Sequence, residues 1–154
     1  MNETVLNTAA EMRYRMLLLL ASLPTDDYSA RWLSGMDFIV EYGSIFGISK
    51  TNLHGDNWMK FTEYATKIFP VTDGLLDLAY RGWVRAIPTP QGFLWRITEA
   101  GEAVADQFDI SYADDYGYYA RLAWRKYQEM DDAMLDEMIR KKAMSPMEKE
   151  ESHG

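Results

Sequence analysis

The sequence predicts a mostly α-helical fold with a small β-hairpin, chiefly from the stretch between Val71 and Asp106. An apolar pattern of helical spacing there gives way to two strand-like segments, at about 83–87 and 93–97, and then to another helix. Gly82 follows the helix before the hairpin. The residue just past a helix end often needs the left-handed backbone conformation that glycine adopts freely. The order of helix, hairpin and helix is typical of the winged half of a winged helix-turn-helix domain.

Three helices are predicted upstream of this stretch. Thr8 and Glu11 form a capping box for a first helix that runs to about Leu23. That helix is apolar nearly all round, which indicates a central place in the core or a second face on a partner. A second helix is expected at about 29–46 and a third at about 58–69, with loop-like sequence between them.

The boundaries of the next two helices are predicted from single residues. Pro70 is expected to end the third helix, and Thr72 with Asp73 to cap the fourth. A loop rich in proline and glycine then joins the two strands, as in tight antiparallel reversals. Thr98 is expected to cap the helix after the hairpin, which runs to about residue 108.

The remainder of the chain is predicted to be a helical extension of this domain. One long helix is expected at about 114–142, with a short coiled-coil-like seam of apolar residues. The predicted organisation is therefore a winged helix-turn-helix domain at 8–108, a C-terminal helical extension at 109–142 and a flexible tail at 143–154.

The chain of 154 residues is acidic, with a net charge of −8. Residues 101–154 contribute −6 of this, from 7 basic and 13 acidic side chains. Because an acidic chain repels phosphate at long range, weak non-specific DNA binding is expected of the protein alone. The chain has no cysteine, which excludes disulfides and thiol catalysis and favours a cytoplasmic location. Its longest apolar run, residues 16–21, is too short to cross a membrane.

No catalytic constellation is visible, so we expect neither enzymatic activity nor a bound cofactor or metal. The histidines are His54 and His153, and neither is accompanied by residues at ligand spacing. The sequence has no phosphate-cradling glycine loop and no nucleophile elbow. Paired carboxylates such as Asp131 and Asp132 are interpreted as solvated faces or helix starts.

The candidate DNA contacts are three arginines that flank or lie on the hairpin: Arg81, Arg85 and Arg96. In winged-helix DNA readers, a recognition helix enters the major groove while the wing contacts phosphate or the minor groove. The corresponding helix here offers Asp73 and Asp77, with Arg81 as its one basic neighbour. That composition is a poor match to base reading, which uses Arg, Lys, Asn and Gln.

The candidate protein contacts lie in an aromatic-rich segment of the C-terminal extension. Six aromatic side chains occur between residues 112 and 127, and some of them are expected to pack on the winged-helix core. A surplus of aromatic residues on an amphipathic helix that also carries methionine favours a protein interface. The residues predicted to contact protein partners are Tyr116, Tyr119, Trp124 and Tyr127.

A series of short motifs, spread over about residues 8–125, resembles a known family. They follow a leucine-rich first helix and are Asp37-Phe38-Ile39 with Tyr42, Phe46-Gly47, Leu53-His54-Gly55, Leu75 and Leu78 with Arg81-Gly82-Trp83, Gly92-Phe93, Ile97-Thr98-Glu99-Ala100-Gly101, and Ser111-Tyr112. Together they are similar to the small middle components of bacterial ABC three-component conflict systems, a group that includes Lamassu-type antiphage systems.

This resemblance implies a non-catalytic adaptor of a DNA-sensing antiviral defence complex. The family implies that such an adaptor binds an SMC- or Rad50-like ATPase and links or restrains a separate effector subunit, often a nuclease. DNA would then be met through the complex, and no membrane would be involved. The alternative from the residues themselves is a stand-alone winged-helix transcriptional regulator that binds DNA as a homodimer.

Overall fold

The computed structural model of the protein describes residues 8–53 and 59–153, with side chains as far as Met144. These residues form seven helices and one three-stranded antiparallel sheet. In chain order the elements are α1 (Ala9–Ser22), β1 (Tyr28–Ser29), α2 (Ala30–Glu41), α3 (Lys60–Thr66), α4 (Ile68–Tyr80), β2 (Val84–Thr89), β3 (Gly92–Ile97), α5 (Glu99–Asp106), α6 (Ser111–Tyr127) and α7 (Asp132–His153). The prediction of a mostly helical fold with a small β-hairpin is thus confirmed. His54, which the sequence analysis considers as a possible ligand, lies outside the described residues.

Side-chain caps begin several of the helices. Thr8 Oγ1 accepts a hydrogen bond from the Glu11 amide at 3.2 Å at the start of α1. Thr98 Oγ1 accepts from the Gly101 amide at 3.0 Å at the start of α5. Both predicted caps are confirmed, since each hydroxyl satisfies an amide that has no partner within its helix.

Helix α4 begins earlier than the sequence predicts. It starts at Ile68, so that Pro70 lies in its first turn, where a residue without an amide hydrogen costs no helical hydrogen bond. Thr72 and Asp73 are inside the helix, and the Thr72 hydroxyl donates to the Ile68 carbonyl at 2.7 Å. The prediction that Pro70 ends one helix and Thr72 caps the next is therefore wrong, because a single residue, Lys67, separates α3 from α4.

The long C-terminal helix expected at about 114–142 is two helices. α6 ends at Tyr127, and α7 begins at Asp132. Asp131 Oδ1 accepts a hydrogen bond from the Met134 amide at 2.8 Å, which satisfies an otherwise unpaired amide of the first turn of α7. Residues 143–153, which the sequence predicts as part of a frayed tail, continue α7.

The sheet has the strand order β1-β3-β2. β2 and β3 form a hairpin whose register runs from Val84 opposite Ile97 to Thr89 opposite Gly92. β1 pairs with the outer edge of β3, and the sequence did not predict it, because two residues are too few to show an alternating pattern. Gly82 has a φ of 79° just after α4, which confirms the left-handed position predicted for it.

Helix α1 lies at the centre of the core, as its apolar circumference predicts. It packs against α2, α4, α5 and α6. Gly74 allows α4 to approach closely, since a Cβ there would lie 3.3 Å from the backbone nitrogen of Arg13. The core-facing side chains of α1 are fully or almost fully buried: Met12, Met16, Leu17, Leu18, Leu19 and Leu20. Among the described residues, no helix is long and apolar enough to cross a membrane.

Candidate protein-interaction surface

Helix α4 carries an exposed apolar row, which we call the α4 stripe. It consists of Phe69, Leu76 and Tyr80, whose exposed fractions are 70%, 52% and 92%. Spacings of seven and four residues place these three side chains on one face of the helix. The opposite face packs into the core through fully buried residues, namely Val71, Leu75 and Leu78. The helix is therefore apolar on two faces, one of which has no covering element among the described residues.

The charges on and beside α4 are acidic or paired within the chain. The helix contains no lysine or arginine, and Asp73 is exposed beside the stripe. Asp77 accepts hydrogen bonds from Arg13 Nη1 at 2.7 Å and from Arg81 Nε at 3.2 Å. The bond from Arg13, with a further contribution from Arg81, lowers the pKa of Asp77, so this carboxyl is ionised at neutral pH.

Two of the three arginines predicted to contact DNA are paired with carboxylates. Arg81 bonds to Asp77, and its guanidinium lies 5.4 Å from the ring centroid of Trp83. Arg96 Nε donates to Asp27 Oδ1 at 2.7 Å. Arg85 is exposed and makes no ion pair within the described residues; it lies opposite Arg96 in the hairpin register. DNA contact by Arg81, Arg85 and Arg96 stays a prediction.

The four aromatic residues predicted to contact protein partners differ in exposure. Tyr116 is fully buried, and Tyr127 is almost fully buried with its ring edge-on to Phe46. These two rings belong to the chain's own core and have almost no surface with which to reach a partner. Tyr119 and Trp124 are half-buried and reach the surface, and their contact with a partner stays a prediction.

Trp124 lines a cleft of about 420 Å³ between β1, the start of α2 and the turn from α6 to α7. The rings of Tyr28 and Trp32, stacked with centroids 5.1 Å apart, also line it. Carboxylates that also line it accept hydrogen bonds from the chain itself, as in the 2.6 Å bond from the Ser29 hydroxyl to Asp132. This surface, which we call the aromatic cleft, is thus lined by both aromatic rings and carboxylates.

Behind α4 and α6, the core holds a set of charged side chains that we call the buried ionic network. Its members are two cations, two carboxylates and one phenol, all at most 2% exposed: Arg15, Asp37, Glu41, Lys67 and Tyr116. They come from α1, α2, the junction of α3 with α4, and α6. The network therefore ties four parts of the chain together.

Asp37 is the centre of this network. It accepts two hydrogen bonds from Arg15, at 3.1 and 2.7 Å, one from Lys67 at 3.0 Å and one from the Tyr116 hydroxyl at 2.6 Å. Glu41, one helical turn further on, accepts from Arg15 at 2.7 Å and from Lys67 at 2.5 Å. Two positive and two negative charges balance, which a buried cluster of charges requires.

The network also fixes the protonation of its members. Burial alone would raise the pKa of Asp37, but the charges of Arg15 and Lys67 outweigh burial and hold that pKa well below its usual range. Burial alone would lower the pKa of Lys67, but Asp37 and Glu41 raise it. For Tyr116, burial and the Asp37 charge both raise the pKa. Asp37 is thus ionised, Lys67 charged and Tyr116 neutral near neutral pH.

The sequence does not predict this network as a whole, although α2 carries a signal of it. Asp37 and Glu41 are four residues apart and therefore share a helix face with core residues such as Leu33. Carboxylates on a core-facing row are rare unless they are paired. The partners were not recognisable, because Arg15, Lys67 and Tyr116 lie 22 to 79 residues away from Asp37 along the chain.

Comparison with known families identifies the group. The sequence model for ABC-three component (ABC-3C) system Middle Component 2 matches residues 5–149. The chain belongs to this family. No curated protein and no solved structure gives a significant match.

Membership confirms the coarse part of the resemblance drawn from the sequence motifs. As a middle component of a multi-component system, the chain has an accessory role and partner subunits. Within residues 8–53 and 59–153, no group of three or more histidine and carboxylate side chains is placed to hold a metal ion.

The buried ionic network makes the stability of this middle component depend on pH in a defined direction. As pH falls below about 4, Asp37 takes up a proton in the unfolded chain before it does so in the folded chain, because its folded pKa is lowered. The stability that the ionised Asp37 contributes is therefore complete above about pH 5 and lost towards lower pH. Urea unfolding of wild type and Asp37→Asn across this range should show a stability difference that narrows on acidification. A stability difference that widens below about pH 4 would contradict a lowered pKa of Asp37 in the folded chain.

Proposed function

We propose that this middle component is a non-catalytic adaptor of a cytoplasmic antiphage defence complex of the Lamassu type. In this proposal it binds an SMC- or Rad50-like ATPase and links or restrains a nuclease effector. Family membership supports a role among partner subunits, and the observation that carries the proposal is the α4 stripe. An uncovered apolar helix face beside an acidic side chain suits a protein partner better than a phosphate backbone.

The proposal includes the winged helix-turn-helix assignment. The topology that supports it is a helix followed by a short strand, further helices and then a hairpin, with β1 added to the edge of β3. In that arrangement the last helix before the hairpin, α4, corresponds to the recognition helix of DNA-binding relatives of the fold. A fold alone does not determine function. Whether α4 binds DNA or protein therefore depends on the side chains that it exposes.

Those side chains favour protein. A recognition helix that reads bases presents arginine, lysine, asparagine or glutamine to the major groove. Helix α4 has none of these and exposes the α4 stripe and Asp73 instead. The arginines nearest to it do not compensate, since Arg81 is paired with Asp77 and Arg96 with Asp27. On a chain with a net charge of −8, this pairing further weakens attraction to phosphate.

Half-buried aromatic residues would extend the proposed contact area to a second face. Tyr119 and Trp124 on α6 reach the surface, and Trp124 lies in the aromatic cleft beside Tyr28. Aromatic anchors in pockets are common hot spots of protein interfaces. An adaptor needs at least two faces to connect two subunits, and the α4 stripe with the aromatic cleft would provide them.

The experiment that tests the proposal is a pull-down of the tagged protein from its native host, with mass spectrometry of the proteins recovered. We expect recovery of a large coiled-coil ATPase in a fixed ratio to the tagged chain. In parallel, the purified chain alone should retard duplex DNA only weakly, and Arg85→Gln should change this little. Recovery of the chain alone, together with specific, salt-sensitive retardation of a duplex, would overturn the proposal and favour a transcriptional regulator.

A further inference from the structure

A cavity of about 210 Å³ lies between α2, α3, α4 and α7, and shares no lining residue with the α4 stripe or the aromatic cleft. Its polar lining consists of two arginines, one serine, one tyrosine and one aspartate: Arg31, Ser34, Tyr64, Asp136 and Arg140. Two guanidinium groups and one carboxylate leave this cavity with one net positive charge. That sign is opposite to the net charge of −8 on the whole chain.

The Arg140 side chain is 46% exposed, and contacts within the chain orient its guanidinium group at this cavity. Its Nε donates to Asp136 Oδ2 at 2.9 Å, and its guanidinium carbon lies 5.5 Å from the ring centroid of Tyr64 and 5.9 Å from that of Phe61. The Tyr64 hydroxyl donates to the other oxygen of Asp136 at 2.6 Å. Asp136 therefore has both oxygens bonded within the chain. The two terminal amino groups of Arg140 remain as donors in the planar arrangement that matches an oxyanion.

Two further donors of the cavity have no hydrogen-bond partner within the described residues. Ser34 is 5% exposed, and its hydroxyl makes no hydrogen bond there. Arg31 is exposed and forms no hydrogen bond or ion pair there. A buried hydroxyl without a partner is costly and rare in folded proteins. The cavity thus combines a guanidinium group paired with Asp136, a second guanidinium group that acts on Asp136 only through its charge, and one unsatisfied hydroxyl.

We propose that this cavity is a binding site for a phosphoryl group. A phosphate monoester carries nearly two negative charges near neutral pH and three terminal oxygens that accept hydrogen bonds. Arg31 and Arg140 match the charge, and their guanidinium groups with the Ser34 hydroxyl supply three sources of donors. A volume of about 210 Å³ is below the roughly 300–1,000 Å³ of sites for drug-sized ligands, so the site holds the phosphoryl group itself rather than a whole nucleotide.

The test is isothermal titration calorimetry of the full chain with inorganic phosphate and, separately, with adenosine 5′-monophosphate at low ionic strength. We expect saturable binding of both, with affinities within a few-fold of each other, because the phosphoryl group makes the contacts. Much tighter binding of the nucleotide would overturn the size argument and the restriction of the site to a phosphoryl group. Absence of saturable binding of either compound would overturn the site as a whole.

Single substitutions distinguish phosphate binding at this cavity from a general effect of surface charge. Arg140→Gln and Arg31→Gln are each expected to weaken phosphate binding by about tenfold or more, and Ser34→Ala by several-fold. Lys141→Gln is the matched control, because it removes the same charge from α7 at a side chain that pairs with Glu137 outside the cavity. Loss of binding equal in Lys141→Gln and Arg140→Gln would overturn the proposal.

Ser34→Ala also distinguishes a binding role from a structural one. Removal of an unpartnered buried hydroxyl should leave the thermal midpoint unchanged or slightly raised, while phosphate binding weakens. Unchanged phosphate affinity in this variant would contradict the role of Ser34 as a donor. The site goes beyond the adaptor function proposed above, so its failure would leave that function standing.

Discussion

Replacement of Asp37 by asparagine is expected to lower the free energy of unfolding by about 3–5 kcal/mol, the range seen when one partner of a buried ion pair is removed. Asp37 accepts hydrogen bonds from Arg15, Lys67 and Tyr116. With asparagine there, two buried cations would share the single negative charge of Glu41. The amide would also present donors to groups that themselves donate. Urea unfolding followed by circular dichroism measures this difference directly.

Asp77→Asn is the matched control for this prediction. Asp77 also accepts hydrogen bonds from two basic side chains, Arg13 and Arg81, but it lies at the surface. Because water and salt screen exposed ion pairs, its replacement should change the free energy of unfolding far less. Similar small effects of the two substitutions would mean that the buried ionic network contributes little to stability.

Local signals in the sequence were sufficient for much of the fold. The caps at Thr8 and Thr98 depend only on a hydroxyl and an amide three residues away, and both were predicted correctly. The hairpin and the left-handed Gly82 follow from turn chemistry in the same way. Each of these features is decided within a few residues of the chain.

The features that the sequence did not predict depend on packing between distant segments or on ambiguous residues. Pro70 is compatible with the end of one helix or the first turn of the next, and the structure has the second arrangement. The apolar seam continues from Tyr127 to Met134, which concealed the break between α6 and α7. The partners of Asp37 are brought to it only by the packing of α1, α4 and α6 on α2.

The candidate interaction surface also depends on packing that the sequence does not show. An aromatic surplus was visible between residues 112 and 127. The sequence could not tell that Tyr116 would be fully buried against Asp37 while Trp124 would line a surface cleft. The α4 stripe was not predicted, because Phe69 and Leu76 were expected in two different helices. Only the structure separates buried Leu75 from exposed Leu76.

The double substitution Leu76→Glu with Tyr80→Glu is expected to weaken binding of the partner subunit by at least about 100-fold. Each of two hot-spot residues at the centre of an apolar interface contributes on the order of 2 kcal/mol or more, and a buried carboxylate adds a desolvation cost. Both side chains are at least half exposed in the chain alone, at 52% and 92%, so its own thermal midpoint should change little. Native pull-down and, with purified partner, calorimetry would measure the loss.

The control for this variant is Ile110→Glu with Phe93→Glu. These side chains are equally apolar or aromatic and are 54% and 55% exposed, but they lie outside the α4 stripe. The control adds the same charge to an already acidic chain, so a general electrostatic effect would weaken binding in both variants alike. Loss in the stripe variant alone would place a partner on α4. Full binding by the stripe variant would exclude α4 as the main contact. The contact would then be expected at Tyr119 and Trp124 on α6, since Trp124 lines the aromatic cleft.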